Sequence, residues 1–400
     1  MRVSQTPPHE RVNLWVICAA QFLTLAGMTA VLPLLPLYLQ HIGVDDRDTL
    51  RYWTGALGSA PFVVAVFATP IWGSLADRVG YKPMVVRSVA GIAVATVGMG
   101  FSSSPAALLG WRGVQGGVSG VFPAAVALLA ALTPEPRVGR ALAILQAARS
   151  GGALSGPLLG GLLADVIGIR ALFLGVGGSA ALMSLICSLV IVEPARQADA
   201  TQQPEIRWRE LFRHRDLLAM LALVFLFQIV AMASWPTLAL FVEQLHVERA
   251  SVATMTGLVV FAAGLPSMLA ATLWARAVGR FGIARLLAVS LMATGITSAA
   301  VGLADRMDAV LALRVLSGLA MAGFIPLSFQ WLNGFAPANA RGRMAGIGST
   351  AMMLGNVVGP ILGSWLSVHV GLGATFWVPG ASLLVVGVVF WLSTLASARA

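Results

Sequence analysis

The sequence predicts an all-α integral membrane protein, with twelve transmembrane helices arranged as two pseudo-symmetric six-helix bundles. Three observations carry this prediction. Of the 400 residues, 58% are hydrophobic and only 10% charged, whereas a soluble domain carries about 25% charge. Apolar runs recur along the whole chain, each long enough to cross a hydrocarbon core of roughly 30 Å. In lipid, backbone groups must bond within their own segment, which makes these runs helices. Finally, Gly139, Arg140, Gly156, Pro157, Gly160 and Gly168 recur as Gly342, Arg343, Gly359, Pro360, Gly363 and Gly371 at one constant offset. A repeat of that kind, inside apolar spans, indicates two similar halves.

Taken in order, the predicted spans are 12–40, 54–76, 84–103, 106–132, 139–166, 170–192, 216–243, 252–275, 283–303, 307–333, 343–369 and 372–395. The first run is too long for the 7–15-residue apolar region of a cleavable signal and should stay as a span. The ninth and the sixth rest on hydropathy alone. Between the sixth and seventh lies the longest connection, so the expected organisation is a bundle over 1–193, a linker over 194–215 and a second bundle over 216–400. The linker begins with proline, alanine and glutamine. It continues with Trp208 and Phe212 among Arg207, Arg209 and Arg213, which fits either an amphipathic surface helix or a solvated basic segment.

Lys and Arg are distributed unevenly between alternate loops. Only Arg47, Arg51, Arg170, Arg249 and Arg306 fall on one side, against seventeen on the side that also holds both termini. Positive loops face the cytoplasm, so a multi-pass membrane protein with both termini cytoplasmic is expected. This also accounts for the net charge of +10 without a nucleic-acid partner, because the basic residues form no patch with exposed aromatics. The expected partners are membrane lipid and a small-molecule substrate.

No enzyme is expected. The chain lacks a phosphate-binding loop of the Walker type. Its five histidines, and Cys18 and Cys187, have no metal-ligand spacing, so neither cofactor nor metal is expected.

Charge within the spans is sparse and therefore informative. Arg149 lies ten residues into the fifth span, about 15 Å deep, where reaching an interface is difficult. Met352 occupies the corresponding place in the second half. Either a ligand-facing Arg or a structural Arg held by carbonyls fits this position. Arg112 opens the fourth span, followed by Gln115, Gly116 and Gly120, with Arg314, Ser317 and Gly318 as its repeat. Here snorkelling to headgroups competes with a functional role. The other polar span residues include Gln21, Gln115, Gln146, Gln228, Gln330 and Asn356, interleaved with Phe22, Trp235 and Trp331. Large apolar surfaces with few polar contacts suit a substrate cavity between the halves, although interhelical glue leaves the same pattern. Gln146 and Arg149 share one face of their span.

Gly152, Gly156, Gly160 and Gly161, with Pro157 among them, put small residues on one side of the fifth span. That suits close helix contact, whether sliding or static. Between the second and third spans, Gly73-Ser-Leu-Ala-Asp77-Arg78-Val-Gly80-Tyr-Lys82 reads as a short loop with two glycines for a tight reversal. Its repeat has Gly279 in place of Asp77, so the loop is asymmetric between halves.

These residues resemble a known family. The stretch from Gly73 to Lys82 is similar to the signature loop of the major facilitator superfamily, Arg112 to Gly120 to its fourth-helix motif, and Gly152 to Gly161 to the fifth-helix motif of its exporters. With Pro33, Pro36 and Tyr38 closing the first span, the pattern resembles twelve-span drug–proton antiporters, most of all bacterial multidrug resistance exporters of the MdtG type. The resemblance implies the major facilitator fold, alternating access, and efflux of amphipathic drug-like compounds by proton antiport. It implies gating roles for Gly73, Asp77, Arg78, Gly80, Lys82, Gly152, Gly156, Pro157, Gly160 and Gly161, and a coupling role for Arg112. No Asp or Glu maps to the bilayer centre, so the carboxylates nominated for coupling lie nearer span ends: Asp165 and Glu243. The alternatives carried with export are a narrow-specificity transporter of a metabolite or organic anion, and a non-transporting membrane sensor or scaffold.

Overall fold

The computed structural model describes residues 8–193, 215–245, 251–335 and 341–397. The linker segment 194–214, with its expected surface helix, lies outside them. Among the described residues there is no strand, and twelve helical segments are long and apolar enough to cross a membrane. Spans one to six are Glu10–His41, Arg47–Ala76, Tyr81–Gly100, Pro105–Leu132, Glu135–Ile167 and Ile169–Val190. Spans seven to twelve are Arg215–Ala233, Val252–Phe281, Ile283–Leu303, Met307–Asn333, Met344–His369 and Ala374–Thr394.

Several boundaries differ from the sequence reading for identifiable reasons. The helix of span two starts at Arg47, because the Asp46 carboxylate accepts from the Thr49 amide at 2.8 Å. Side-chain hydrogen bonding to Thr49, together with that amide bond, holds the Asp46 carboxyl below the usual range. The expected loop from Gly73 to Lys82 is nearly all helix. One helix runs to Val79 and the next begins at Tyr81, leaving Gly80 alone, at φ 102°, to make the turn. Gly73 sits inside the helix with open space around it. The expected seventh span stops at Ala233 and resumes as Leu238–Gln244, since Pro236 carries no N–H to continue the ladder.

Breaks within spans follow the repeat. Span one is interrupted by a 3-10 turn at Leu32–Leu34, and the turn at 234–237 follows span seven at the matching place. Span four divides into Pro105–Gly117 and Val121–Leu132, while span ten divides into Met307–Met321 and Phe324–Asn333. Tyr38 stabilises the first arrangement. It is fully buried, packs against Phe173 with the rings tilted and their centroids 4.9 Å apart, and donates its hydroxyl toward the carbonyls of Met99, Gly100 and Ser102, 3.0 to 3.1 Å away. Those carbonyls lie at and just beyond the end of span three, where the Met99 carbonyl also accepts from the Ser102 amide at 3.0 Å, so one hydroxyl helps to satisfy that helix terminus.

The chain divides into two compact units, Met1–Gly43 with Ala60–Ala198, and Val44–Ser59 with Asp199–Ala400. In the first, Ile17, Val85, Val89, Leu128, Leu145 and Cys187 belong to one buried cluster. The glycine stripe of span five is used inside this unit. A Cβ at Gly152 would collide with the Phe22 carbonyl, one at Gly156 with Thr29 and the Ala26 carbonyl, and one at Gly160 with Ala30, all on span one. In the second, Leu217, Phe227, Leu287, Phe324, Met344 and Leu383 share a cluster, and Gly355, Gly359 and Gly363 seat span eleven on span seven.

Residues Val44–Ser59 are assigned to the second unit, whereas division by sequence position places them in the first half. Within that unit Arg51 donates to the Ser367 carbonyl at 2.8 Å and accepts on its own carbonyl from Ser364. Ser59 donates to the Val357 carbonyl at 2.7 Å.

Candidate functional site

In the first unit the polar groups collect around the break in span four. Trp72, near the end of span two, donates its indole N–H to the Gly117 carbonyl at 2.6 Å. That carbonyl is one of those left free where the helix stops, so Trp72 braces the break. The repeat preserves the device, because Trp274 donates to the Leu319 carbonyl at 2.9 Å. Arg87 lies against this brace. Its guanidinium stacks 3.5 Å from the Trp72 ring centroid and donates to Ser88 at 2.8 Å and to the Ser119 carbonyl at 3.3 Å. Val289 takes its place in the second half, so this cation belongs to one half only.

Arg112 is buried, with 3% of its surface exposed, and donates to the Gln115 amide oxygen at 2.5 Å. It therefore does not snorkel. Its repeat partner Arg314 is less enclosed and donates from Nε to the Val259 carbonyl at 3.3 Å. One arginine is held by a side chain one turn away, the other by a backbone carbonyl of a neighbouring span.

Arg149 is half-buried, and its guanidinium stands 4.4 Å from the centroid of Phe122, the second residue of the resumed helix of span four. It makes no ion pair among the described residues. A cation over an aromatic face gains roughly 0.5–2 kcal/mol, and the half-exposed guanidinium retains donors for a ligand. Gln146, one turn earlier, is exposed and reaches Ser150 at 3.5 Å. Across the glycine contact, Phe22 packs its ring by Gly151, while Gln21 is buried with its Nε2 unpartnered among the described residues.

The second unit has a more neutral arrangement. Gln228 on span seven donates to Asn356 on span eleven at 2.7 Å. Trp235 lies half-buried in the turn at 234–237. Gln330 is exposed and lines a cavity of about 500 Å³ with Phe329 and Asn333. Trp331 points elsewhere, packing edge-on to Phe390 and lining a separate cavity with Arg285 and Thr394.

Asp165 is exposed at the end of span five, and Glu243 is half-buried in the short helix after span seven. Arg78 is exposed in the last turn of span two's helix, and the Asp77 side chain lies outside the described residues. Lys82 donates its backbone amide to Glu193 at 2.9 Å. Sequence reasoning missed Arg87, Trp72, Phe122 and Glu193. The first had the same signal as Arg149, a charge inside an apolar run, whereas Trp72, Phe122 and Glu193 acquire meaning only through the groups they touch.

Comparison with known proteins matches this architecture. The sequence profile of the Major Facilitator Superfamily matches residues 17–255 and 224–399. The chain is 31% identical to the uncharacterized MFS-type transporter YuxJ of Bacillus subtilis, over 93% of this chain and 96% of that one. It is 29% identical to the multidrug resistance protein MdtG of Proteus mirabilis, over 95% of each. Among solved structures, the nucleoside transporter NupG superposes with a TM-score of 0.79 at 13% identity, covering 95% of this chain and 99% of that one. A bacterial homologue of the lysosomal transporter Spinster gives 0.77 at 17%, covering 98% and 96%. These two likenesses show the fold. With twelve spans and matching breaks in its two halves, the chain belongs to the Major Facilitator Superfamily of membrane transporters.

Proposed function

We propose that this protein exports amphipathic, partly aromatic compounds across the bacterial cytoplasmic membrane by alternating access, driven by proton antiport, with both termini in the cytoplasm. The observation that carries the reading is Arg149: a mid-span cation braced by Phe122, with Gln146 exposed one turn away, present in one half only. Gln21, Phe22 and Gln115 from the first unit, and Gln228, Trp235, Gln330 and Asn356 from the second, are the proposed substrate-contacting set; Trp331, expected among them, packs on Phe390 and is left out. Amides and aromatic faces would bind many shapes with few obligatory partners. The MdtG relatives, which carry the name multidrug resistance protein, support export over import.

In this reading Arg112 transmits coupling, and Asp165 and Glu243 are the candidate proton carriers. The turn region from Gly73 to Lys82, with Asp77, Arg78 and Gly80, and the glycine-proline segment from Gly152 to Gly161 set the conformational change. Arg149 also favours a second reading, a transporter of an organic anion, because its guanidinium has no ion-pair partner among the described residues.

Transport by proteoliposomes carrying Arg149→Met tests both. Met is the repeat's own residue at this position, so insertion should be preserved. Transport should fall about tenfold, equivalent to ~1.4 kcal/mol. Loss for anionic compounds alone selects the second reading, and unchanged transport at equal abundance removes Arg149 from the site.

A further inference from the structure

The breaks in span four and span ten are repeat equivalents that aim the following helix differently. Each is braced by an indole N–H, from Trp72 to the Gly117 carbonyl and from Trp274 to the Leu319 carbonyl. Beyond the brace they diverge. In span four the chain passes through Gly120 at φ 120° and ψ 10° before the helix resumes at Val121. In span ten Ala322 and Gly323 keep right-handed helical angles, with φ at −56° and −85°. A left-handed residue turns the backbone out of its helical course, so span four is redirected where span ten almost continues.

The phenylalanine that follows each break registers this difference. Phe122 is half-buried, with the Arg149 guanidinium 4.4 Å from its ring centroid. Its equivalent Phe324 is fully buried and stacks on Phe227, with centroids 4.2 Å apart. The facing residue has changed as well, since Met352 stands where the first half has Arg149.

One more substitution accompanies these, Val289 in place of Arg87. Arg87 lies six residues into span three, about 9 Å along the helix, where a guanidinium ordinarily extends toward the nearer membrane surface. It lies instead on the Trp72 ring, 3.5 Å from the centroid, and donates to the Ser119 carbonyl at 3.3 Å. In a continuous helix that carbonyl would accept from the amide four residues on, but residue 123 is proline and has no N–H to give. Arg87 supplies the donor. It also stands against the turning residue, because a Cβ on Gly120 would be 3.8 Å from Nη2.

We propose that Arg87 is a positioning residue: by holding the Ser119 carbonyl it fixes the left-handed turn at Gly120, and so delivers Phe122 to Arg149 instead of to the core. A guanidinium suits the task because its plane can stack on an indole while its N–H groups donate within that plane. The consequence for transport rests on the reading of Arg149 as a substrate contact; the placement of Phe122 does not.

Fluorine NMR of the full chain in neutral detergent, with 4-fluorophenylalanine placed at Phe122, reads the contact without transport. Arg149→Met should move the resonance by taking the cation off the ring. Arg87→Val, which introduces the repeat's own residue, should move it by a comparable amount, and combining the two should move it no further. Arg87→Lys keeps the charge, but its ammonium cannot lie flat on the indole and reach Ser119 together, so it should also move the resonance. In liposomes, Arg87→Val should raise KM by up to about tenfold with kcat little changed, no more than Arg149→Met does. A wild-type resonance in Arg87→Val overturns the proposal, as does a double variant whose shift is the sum of the two. If Arg87→Val fails to fold, a wild-type resonance in Arg87→Lys overturns it equally. A moved resonance with unchanged transport by Arg149→Met upholds the positioning role and removes Arg149 from the substrate site, so the two readings fail separately.

Discussion

Substituting Gly156 by Ala should destabilise this protein, against the ordinary preference of helices for Ala. In an isolated helix the change is favourable by about 1 kcal/mol. Here the added Cβ would collide with the Thr29 hydroxyl and the Ala26 carbonyl of span one. The hydroxyl is not free to swing away, because it already donates to the Leu25 carbonyl at 2.8 Å. The Ala26 carbonyl is backbone and moves only with span one itself. Overpacking of this kind costs roughly 1–3 kcal/mol, so a net loss of up to about 2 kcal/mol is expected after the helix gain of about 1 kcal/mol is offset. The control is Gly178→Ala on span six, where a Cβ would meet nothing within 4 Å and the helix gain should survive. Reversible unfolding in mixed micelles, followed by circular dichroism, provides the comparison. If Gly156→Ala proves as stable as the wild type or more so, the glycine stripe is not the seat of span one and the packing argument fails.

Tyr38→Phe should lose about 1–3 kcal/mol, since it leaves buried carbonyls at the end of span three without their hydroxyl; near-wild-type unfolding would deny that role. Glu193→Ala should cost roughly 1 kcal/mol as a lost helix cap and speed hydrogen exchange at the Tyr81 and Lys82 amides, whereas unchanged exchange would show those amides satisfied otherwise. Asp165→Asn should abolish gradient-driven accumulation while substrate exchange without a pH gradient persists, and full accumulation by both Asp165→Asn and Glu243→Gln would eliminate each as an individually essential proton carrier.

The twelve spans were legible because lipid imposes a simple rule: every stretch crossing it must be apolar and helical. The repeat was legible because glycine and proline act through the backbone, so Gly156 and Gly359 keep their positions while surrounding side chains drift. Turn geometry was less so. The residues from Gly73 to Val79 read as loop because glycine and charge suggest one, yet the helix simply continues past the apolar stretch to Gly80. For Arg112 a functional role was the favoured reading with snorkelling as the alternative, and its burial beside Gln115, with a 2.5 Å bond between them, excludes snorkelling. Glu193 gave no signal at all, because its partners are backbone amides more than a hundred residues away. Linear division likewise could not anticipate that Val44–Ser59 cluster with the second unit, since that assignment depends on contacts such as Arg51 with Ser367.

The claim that this protein is a proton-driven exporter is tested most directly by purified protein in liposomes with a fluorescent amphipathic aromatic compound at equal concentration inside and outside, under an imposed pH gradient with the electrical potential clamped. Export is predicted to run against the substrate gradient, with proton movement in the opposite direction, and to collapse when the pH gradient is dissipated. Substrate flux indifferent to that gradient would contradict proton antiport, and the absence of flux for any amphipathic compound tested would contradict drug export itself.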